Sequence, residues 1–352
     1  MNRTETRPIK VANLQIGGQN KVIIQSMANT KTKNIPATVK QINELQAKGC
    51  QLVRLAILDQ DDALAVSAIK DQVELPLVAD IHFDYKLALL AIQQGIDKIR
   101  LNPGNIANKE HITQVVAACK KRKIPLRIGI NAGSLEKELL QKYNKPGVEA
   151  MIESAQRHVK ILEDLDFFDI CLSFKASDPQ LCIASYQAAA SIFPYPLHLG
   201  VTEAGDFFTS SVRSSAALGT LLSQGIGDTI RISVSGDPLE EIKIAKELLN
   251  CFGLMPNYAQ IIACPTCGRL QYDMLKIIPP LQEFLSEINR PLKVAVMGCV
   301  VNGPGEASQA DIGVAGGIKE ALLFKHGRVL RKIAQTDILN ELIKEIEAML
   351  LQ

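Results

Sequence analysis

Three cysteines near the end of the sequence have the spacing of ligands for a metal or a cluster. Cys264 and Cys267 form a Cys-Pro-Thr-Cys motif, and Cys299 follows after a helix-length gap, in a turn rich in glycine and proline. A tight turn brings two such thiols to the same side, and glycine lets the backbone approach a bulky ligand closely. Three thiolates and one oxygen ligand would suit an iron–sulfur cluster with one iron not held by protein sulfur.

Two other kinds of site are compatible with these cysteines. A zinc site would need a fourth Cys or His nearby, and the best local candidate is His326, beyond a separate hairpin. A thioredoxin-like dithiol would need only Cys264 and Cys267, and would leave Cys299 and its glycines without a role. The residues favour an iron–sulfur cluster and leave zinc and the dithiol open.

Polar and charged residues form a second set, because they recur inside or just after short β-branched runs. The set comprises Arg54, Asp80, His82, Arg100, Asn102, Arg127, Asn131, Lys175, Glu203, Arg231 and Ser233. Members two positions apart share one face of a strand, so the five cations among them should converge. The planar fork of arginine matches phosphate oxygens, and converging cations would repel one another without a multiply charged anion. A diphosphate is the ligand we predict.

The alternative for these cations is pairing with carboxylates, but the acids at strand ends, Asp80 and Glu203, are too few for five of them. His82 alone would be a hydrogen-bonded structural imidazole. Beside Asp80 and the cations, it becomes a candidate proton donor or substrate ligand.

The elements that carry these residues alternate regularly between strand and helix. The predicted strands are 22–26, 52–57, 77–81, 98–101, 126–130, 168–174, 197–201 and 229–234. The predicted helices are 36–48, 61–72, 85–94, 109–122, two stretches around 134–140 and 147–164, then 179–191, 209–223 and 238–249. Eight βα units without a strand-only section predict an α/β fold of the (β/α)8 TIM-barrel type. The carboxyl ends of the strands are then the expected active-site face.

A linker at 252–258 separates this barrel from a small α+β domain. We predict a barrel over 1–252 that binds the diphosphate, and a cluster domain over 258–352. The second domain should contain strands 260–263, 293–297 and 312–314, helices 270–289 and 337–350, and a hairpin around His326. Both cysteine motifs directly follow strands, so we expect them at one edge of one sheet.

Composition limits the remaining classes of function. The chain has 352 residues, 47% hydrophobic and 22% charged, with a formal net charge of +2 and no tryptophan. A net charge this close to zero does not suggest nucleic-acid binding. No apolar run reaches the length of a membrane span. The sequence shows no export signal, so we expect a cytoplasmic protein whose eight cysteines are not a disulfide framework. Five cysteines outside the motifs are predicted to be buried: Cys50, Cys119, Cys171, Cys182 and Cys251.

The motifs together resemble the 4-hydroxy-3-methylbut-2-enyl diphosphate synthases, the GcpE or IspG family, in its compact two-domain bacterial form. The resemblance rests on LVRLAI, ADIHFDY, KIRLNPGN, RIGINAGSL, SFKAS, VTEAG, IRISVSGDP, ACPTCGR and the turn at 298–306, all in the family's order. It implies a [4Fe–4S] cluster bound by Cys264, Cys267, Cys299 and Glu306. It also implies substrate contacts at Arg54, His82, Arg100, Asn102, Arg127, Asn131, Lys175, Arg231 and Ser233.

The reaction implied by the resemblance is the reductive opening of 2-C-methyl-D-erythritol 2,4-cyclodiphosphate in the non-mevalonate isoprenoid pathway. Glu306 and His82 are then the expected catalytic residues, and flavodoxin or ferredoxin the electron donor. The family also implies a homodimer in which each cluster domain caps the partner's barrel. Two other hypotheses stay open: a zinc-dependent barrel enzyme acting on a phosphorylated substrate, and a non-catalytic iron–sulfur carrier or scaffold.

Overall fold

The computed structural model of the chain describes residues 2–82, 84–106, 108–299 and 309–351. It divides into two compact units, Met1–Leu254 and Met255–Gln352. The domain boundaries expected from the sequence, 252 and 258, lie on either side of this division.

The first unit is a closed parallel barrel, as the alternation of strands and helices predicts. Its strands are β3 (Ile23–Met27), β4 (Leu52–Ala56), β5 (Leu77–Asp80), β6 (Lys98–Arg100), β7 (Leu126–Asn131), β8 (Ile170–Lys175), β9 (His198–Leu199) and β10 (Thr229–Ile230). They are ordered β8-β7-β6-β5-β4-β3-β10-β9, and a parallel bridge between Leu172 and Leu197 joins the two ends. The predicted TIM-type fold is confirmed, although β9 and β10 are shorter than the sequence suggested.

Helices surround the barrel between successive strands. They are α1 (Ile35–Ala47), α2 (Gln60–Lys70), α3 (Tyr85–Gln93), α4 (Lys109–Arg122), α5 (Lys137–Tyr143), α6 (Val148–Glu163), α7 (Pro179–Ile192), α8 (Phe207–Ser223) and α9 (Pro238–Cys251). Seven of them begin after an Asn or Asp whose side chain accepts a backbone N–H of the first turn. Such caps satisfy amides that have no partner within the helix, which explains why the helix starts are readable from sequence.

A β-hairpin before the first barrel strand seals the amino-terminal end of the barrel. Its strands, β1 (Ile9–Val11) and β2 (Leu14–Ile16), are antiparallel. The sealing cluster contains Ile9, Val11 and Ile16 of the hairpin with Ile23, Leu52, Val78 and Cys171 of the barrel strands. The barrel interior is therefore closed by apolar packing at this end.

The second unit is built on a five-stranded sheet. Its strands are β11 (Ala259–Ala263), β12 (Leu292–Met297), β13 (Ile312–Gly316), β14 (Glu320–Lys325) and β15 (Arg328–Ala334), in that order. The first three are parallel, and the last two run antiparallel to their neighbours. Helices α10 (Ile278–Ser286) and α11 (Ile338–Leu350) contribute Leu281, Leu285, Leu342 and Ile346 to its core.

The expected helix over 270–289 is wrong at its start. α10 begins at Ile278, with proline in its first turn, and a short 3₁₀ helix over Met274–Lys276 precedes it. Before that, the Gln271 N–H donates to the Gly298 carbonyl at 3.0 Å, and the Tyr272 hydroxyl donates to the Met297 carbonyl at 3.1 Å. These bonds tie the segment to the end of β12, so tertiary contacts override the helical pattern.

Two further expectations can be compared with the structure. Four of the five isolated cysteines are buried, but Cys251 is exposed at the end of α9, contrary to the prediction. None of the helices in the described part of the chain combines the length and the apolar character that crossing a membrane requires.

Candidate functional site

Five cations cluster inside the barrel, on or just after five of its strands. They are Arg54 of β4, Arg100 of β6, Arg127 of β7, Lys175 of β8 and Arg231 just after β10. Arg100, Arg127 and Lys175 are buried, with 6%, 1% and 7% of their surface exposed, and the other two are half-buried. A glycine makes room for one of them, because a Cβ built at Gly129 would lie 3.0 Å from Arg100 Nε. The structure thus brings together all five cations that the strand pattern singled out.

Asp80, at the end of β5, lies among three of the predicted site residues. Its carboxylate is 3.8 Å from Arg54 Nε, 3.5 Å from Arg100 Nη1 and 3.5 Å from His82 Nε2. Arg100 Nη1 is also 3.1 Å from His82 Nδ1. Burial acts to raise the pKa of Asp80, but the hydrogen bond with His82 and the charges of Arg54 and Arg100 outweigh it and hold that pKa well below its usual range.

A second carboxylate, Glu241 of α9, was missed by the sequence analysis. It accepts hydrogen bonds from Arg231 at 2.8 and 3.3 Å and from Ser26 Oγ at 2.7 Å. Glu203, the acid expected at a strand end, is instead exposed and has a left-handed backbone. Glu241 lies in the first turn of its helix, where an acid ordinarily only complements the helix dipole, so nothing in the sequence marked it as a partner of Arg231.

Two of the five cations lack an acidic partner in the described part of the chain. Neither Arg127 nor Lys175 forms an ion pair within the described residues, and Arg127 Nε and Nη1 are buried without a hydrogen-bond partner. Burial lowers the pKa of Arg127 to about 10, and the charge of Arg100 adds to this effect. Burial and the neighbouring arginines lower the pKa of Lys175 well below its ordinary value. These groups are short of negative charge in the absence of a ligand.

Arg54 is held by a contact that the sequence did not indicate. Its Nε and Nη2 donate to the sulfur of Met27 at 3.0 and 2.8 Å. Burial lowers the pKa of Arg54 to about 9, although Asp80 opposes the shift, and Arg127 and other arginines reinforce it. A sulfur acceptor orients the guanidinium without neutralising it, so its charge stays available to an anion.

The three predicted polar ligands occupy different positions. The Asn102 amide donates to the Gly129 carbonyl at 2.8 Å and accepts the Gly129 N–H at 2.9 Å, so it ties the end of β6 to β7. Asn131 pairs in register with Lys175 at the ends of β7 and β8. Ser233 follows β10, and its carbonyl accepts the Ser210 hydroxyl at 2.9 Å.

The cysteine motifs lie at one edge of the second unit's sheet, where the parallel strands end. Cys264 follows β11, and Gly298 and Cys299 follow β12. The Gly298 N–H donates to Cys264 Sγ at 3.1 Å. Cys267 is exposed, and Cys264 and Cys299 are half-buried. The fourth predicted ligand, Glu306, is among residues 300–308, which lie outside the described residues.

The chemistry of this edge fits a group bound through thiolates. Backbone N–H groups aimed at cysteine sulfur are a normal feature of iron–sulfur sites. The backbone is packed closely here, because a Cβ at Gly316 would lie 2.7 Å from the Gly298 carbonyl oxygen. Among the described residues, no three His, Cys, Asp or Glu side chains are close enough to hold a metal ion. The donors present are thus soft thiols of the type that a cluster uses.

His326, the local candidate for a fourth zinc ligand, lies at the opposite end of the sheet. It follows β14, and its N–H donates to the Asp311 carbonyl just before β13 begins. The cysteines lie where the parallel strands end, beyond the five residues of β13. At about 3.3 Å per residue, the separation is roughly 16 Å, which is far too long for one zinc ion.

Two sequence models of one family match nearly the whole chain. They are the GcpE TIM-barrel domain over residues 6–246 and the GcpE protein C-terminal domain over residues 260–348. The chain belongs to the GcpE family. A relative in Anoxybacillus flavithermus is 54% identical over 99% of this chain and 95% of its own length. Relatives in Bacillus cytotoxicus and Macrococcus caseolyticus are each 56% identical over 98% of this chain, and over 94% and 93% of their own lengths. All three are named 4-hydroxy-3-methylbut-2-en-1-yl diphosphate synthase (flavodoxin).

Among solved structures, the chain is similar to dihydropteroate synthase from Stenotrophomonas maltophilia. The identity is 11% and the TM-score 0.49, over 70% of this chain and 98% of that one. A likeness this distant carries no argument about function.

Proposed function

We propose that this GcpE-family chain reduces 2-C-methyl-D-erythritol 2,4-cyclodiphosphate to 4-hydroxy-3-methylbut-2-enyl diphosphate, with opening of the ring and loss of water. The observation that carries the proposal is the cluster of five cations at the barrel mouth, two of which lack an acidic partner among the described residues. A doubly phosphorylated ring supplies the missing charge. The names of the relatives point to the same reaction.

The chain's own residues bind and orient this substrate. Arg54 and Arg100 present guanidinium groups whose orientation Asp80 fixes, and Glu241 does the same for Arg231. Arginine binds phosphate oxygens through two parallel N–H groups, which fixes the direction of the diphosphate as well as its position. Cations around the leaving phosphate oxygen stabilise the charge that develops when the ring opens.

His82 is the chain's candidate proton carrier at the mouth. It is half exposed, its Nε2 faces Asp80, and Arg100 lies against the same ring. An imidazole beside a carboxylate is held in one orientation and can transfer a proton to a departing oxygen. We propose this role for His82 and keep Glu306 as the second catalytic candidate from the family resemblance.

The cofactor we propose is a [4Fe–4S] cluster held by Cys264, Cys267, Cys299 and Glu306. When bound, such a cluster would supply single electrons for the reduction. The hydrogen bond from the Gly298 N–H to Cys264 Sγ supports this proposal, because such bonds stabilise a thiolate ligand. The names of the relatives favour flavodoxin as electron donor, and ferredoxin is the alternative. A cytoplasmic location is part of the same proposal.

Anaerobic turnover tests the proposed reaction. The full chain, reconstituted with iron and sulfide, should convert the cyclic diphosphate to the linear diphosphate when a reductant and flavodoxin are supplied. Arg100→Ala should retain the cluster's absorption near 400 nm (roughly, for thiolate-bound iron–sulfur centres) and lose turnover. An Arg100→Ala variant with full turnover would favour the carrier or scaffold hypothesis. A reconstituted protein without iron would refute the cofactor assignment.

We also propose a homodimer in which one chain's cluster domain serves the partner's barrel. A mixed dimer of Arg100→Ala and Cys299→Ser chains would then contain one intact site and recover part of the activity that each variant lacks alone. Mixed dimers without activity would contradict the shared site, whereas the Arg100→Ala homodimer serves as the control for background turnover.

A further inference from the structure

The barrel interior stays polar below the mouth, where a barrel of this type normally holds branched apolar side chains. Side chains two apart share a face of a strand, so the inward face can be followed down from the mouth. In β3, Met27 contacts Arg54, and Gln25 precedes it by two positions. In β6, Arg100 faces Asp80, and Lys98 precedes it by two positions. Gln25 and Lys98 therefore point into the barrel one step deeper.

Two further side chains complete this deeper level. His198 lies two positions before Gly200, whose inward side is 3.1 Å from Lys175 Nζ when a Cβ is built there. Arg127 is the deepest of the mouth cations and lowers the pKa of both Lys98 and His198. We call Gln25, Lys98, Arg127 and His198 the deep layer.

Every member of the deep layer is buried and short of hydrogen-bond partners. The exposed fractions are 1% for Gln25 and Arg127 and 0% for Lys98 and His198. Both amide atoms of Gln25, Lys98 Nζ, Arg127 Nε and Nη1, and His198 Nε2 lack a partner within the described residues. Buried polar groups are normally paired, and an unpaired one destabilises the fold, more so when it is charged. These atoms are therefore candidates for contacts with a ligand or with ordered water.

The surroundings determine the charge of that ligand. Below the deep layer lies the apolar seal formed by the hairpin, and above it lie the mouth cations. The Cys171 thiol is the nearest titratable neighbour of Lys98, but burial raises its pKa, so it stays protonated and supplies no counter-charge. Asp228 contributes a weaker attraction to Lys98, and its carboxylate accepts the Thr6 hydroxyl at 2.8 Å and the Leu197 N–H at 2.7 Å. Ammonium and guanidinium groups only donate hydrogen bonds. The deep layer is therefore rich in donors and in positive charge, which favours an anion over water alone.

We propose that the deep layer binds a small monovalent anion, chloride under ordinary conditions, between Lys98 and Arg127. The anion accepts hydrogen bonds from the ammonium and the guanidinium, and ordered water completes the contacts of Gln25 and His198. It also provides the counter-charge that allows a cationic Lys98 to lie at the bottom of a cationic mouth. This site lies below the substrate site and shares only Arg127 with it, and it does not rest on the proposed reaction.

Bromide in place of chloride tests the proposal directly, because bromide scatters X-rays anomalously. Crystals of the substrate-free full chain grown in bromide should show an anomalous peak within hydrogen-bonding distance of both Lys98 Nζ and the Arg127 guanidinium. Lys98→Met removes the charge, shortens the side chain by only one atom and should abolish the peak. Lys121→Met, the same change on the exposed surface of α4, should retain it. Water alone at this position in the wild type would overturn the proposal.

Thermal melting provides a second test that does not need crystals. Chloride should raise the melting temperature of the wild type saturably above that in gluconate at equal ionic strength, because a ligand of the folded state stabilises it. Chloride should raise the melting temperature of Lys121→Met by the same amount, and it should not raise that of Lys98→Met. If Lys98→Met does not fold, the wild type still decides, since equal melting temperatures in the two salts would exclude a chloride site.

Discussion

Replacing Asp80 with asparagine removes the negative charge that the buried Arg100 and the half-buried Arg54 share. Its carboxylate is 3.5 Å from Arg100 and 3.8 Å from Arg54, and each attraction is worth about 4–5 kcal/mol at an effective dielectric constant of about 20. The desolvation of a buried carboxylate offsets part of this, and removing one partner of a buried pair typically costs about 3–5 kcal/mol. Because the mouth is open to solvent, we expect a loss of about 3 kcal/mol in the free energy of unfolding.

The same reasoning predicts that an anionic ligand restores part of this loss. Inorganic diphosphate in the mouth would provide Arg54 and Arg100 with the charge that the Asp80→Asn variant lacks. Urea unfolding followed by circular dichroism, with and without diphosphate, measures the effect. Diphosphate should raise the free energy of unfolding of the variant by at least about 1 kcal/mol more than that of the wild type. This difference corresponds to diphosphate binding the folded variant about fivefold more tightly than the folded wild type.

Asp97→Asn is a matched control in the same barrel. Asp97 pairs with Lys70 and accepts the Leu77 N–H at 2.9 Å at the start of β5, and it belongs to no cation cluster at the mouth. This variant should lose stability, but diphosphate should stabilise it no more than it stabilises the wild type. If diphosphate raised the free energy of unfolding equally in the wild type and in both variants, Asp80 would not be the counter-charge of the arginines.

The pH dependence of Asp80→Asn follows from the same electrostatics. Because the pKa of Asp80 is lowered in the folded state, its charge stabilises the fold above its unfolded pKa, about 3.9, and the benefit is lost as the pH falls through the folded value. The stability difference between wild type and variant should therefore stay constant from pH 5 to 8 and shrink below about pH 4. A difference that vanished between pH 5 and 8 would point to another group.

Three further substitutions test other parts of the site. Lys175→Met should stabilise the substrate-free protein at pH 7, and less near pH 10, because burial depresses the pKa of Lys175 in the folded state. The affinity of this variant for diphosphate, measured by calorimetry, should fall at least about tenfold. Glu241→Gln should destabilise the fold by about 1–3 kcal/mol and raise KM, because Arg231 loses its carboxylate. Gly298→Ala should reduce the iron retained after reconstitution, since its Cβ would lie 3.5 Å from Cys264 Sγ and closer to other side chains.

Much of the barrel was predictable because local and tertiary signals agree there. Helix α4, over Lys109–Arg122, has the bounds that the sequence predicted. The Asn108 side chain caps its start, and a left-handed Lys123 ends it. The five mouth cations were predictable for a related reason, since a charge inside an otherwise apolar strand has few explanations other than a site.

The parts that failed depend on contacts between distant segments. The segment before α10 has the apolar spacing of a helix, but the Gln271 N–H donates to the Gly298 carbonyl and the Tyr272 hydroxyl to the Met297 carbonyl instead. Glu241 reaches Arg231 and Ser26 from a helix, and the sequence does not show which strand a first-turn acid will contact. Lys98 could have been found, because it lies two positions before Arg100 and must share its face.

Strand alternation explains how a barrel can hold so many buried charges and remain folded. Between Lys98 and Arg100 lies Ile99, fully buried on the outward face, and Ile128 follows Arg127 in the same way. The apolar core therefore lies mainly between the strands and the helices, not inside the barrel. Burial of that layer provides the main driving force for folding, which leaves the inward face free to carry charge. The interior then depends on ligands for its counter-charge: a diphosphate at the mouth and, by our proposal, a small anion beneath it.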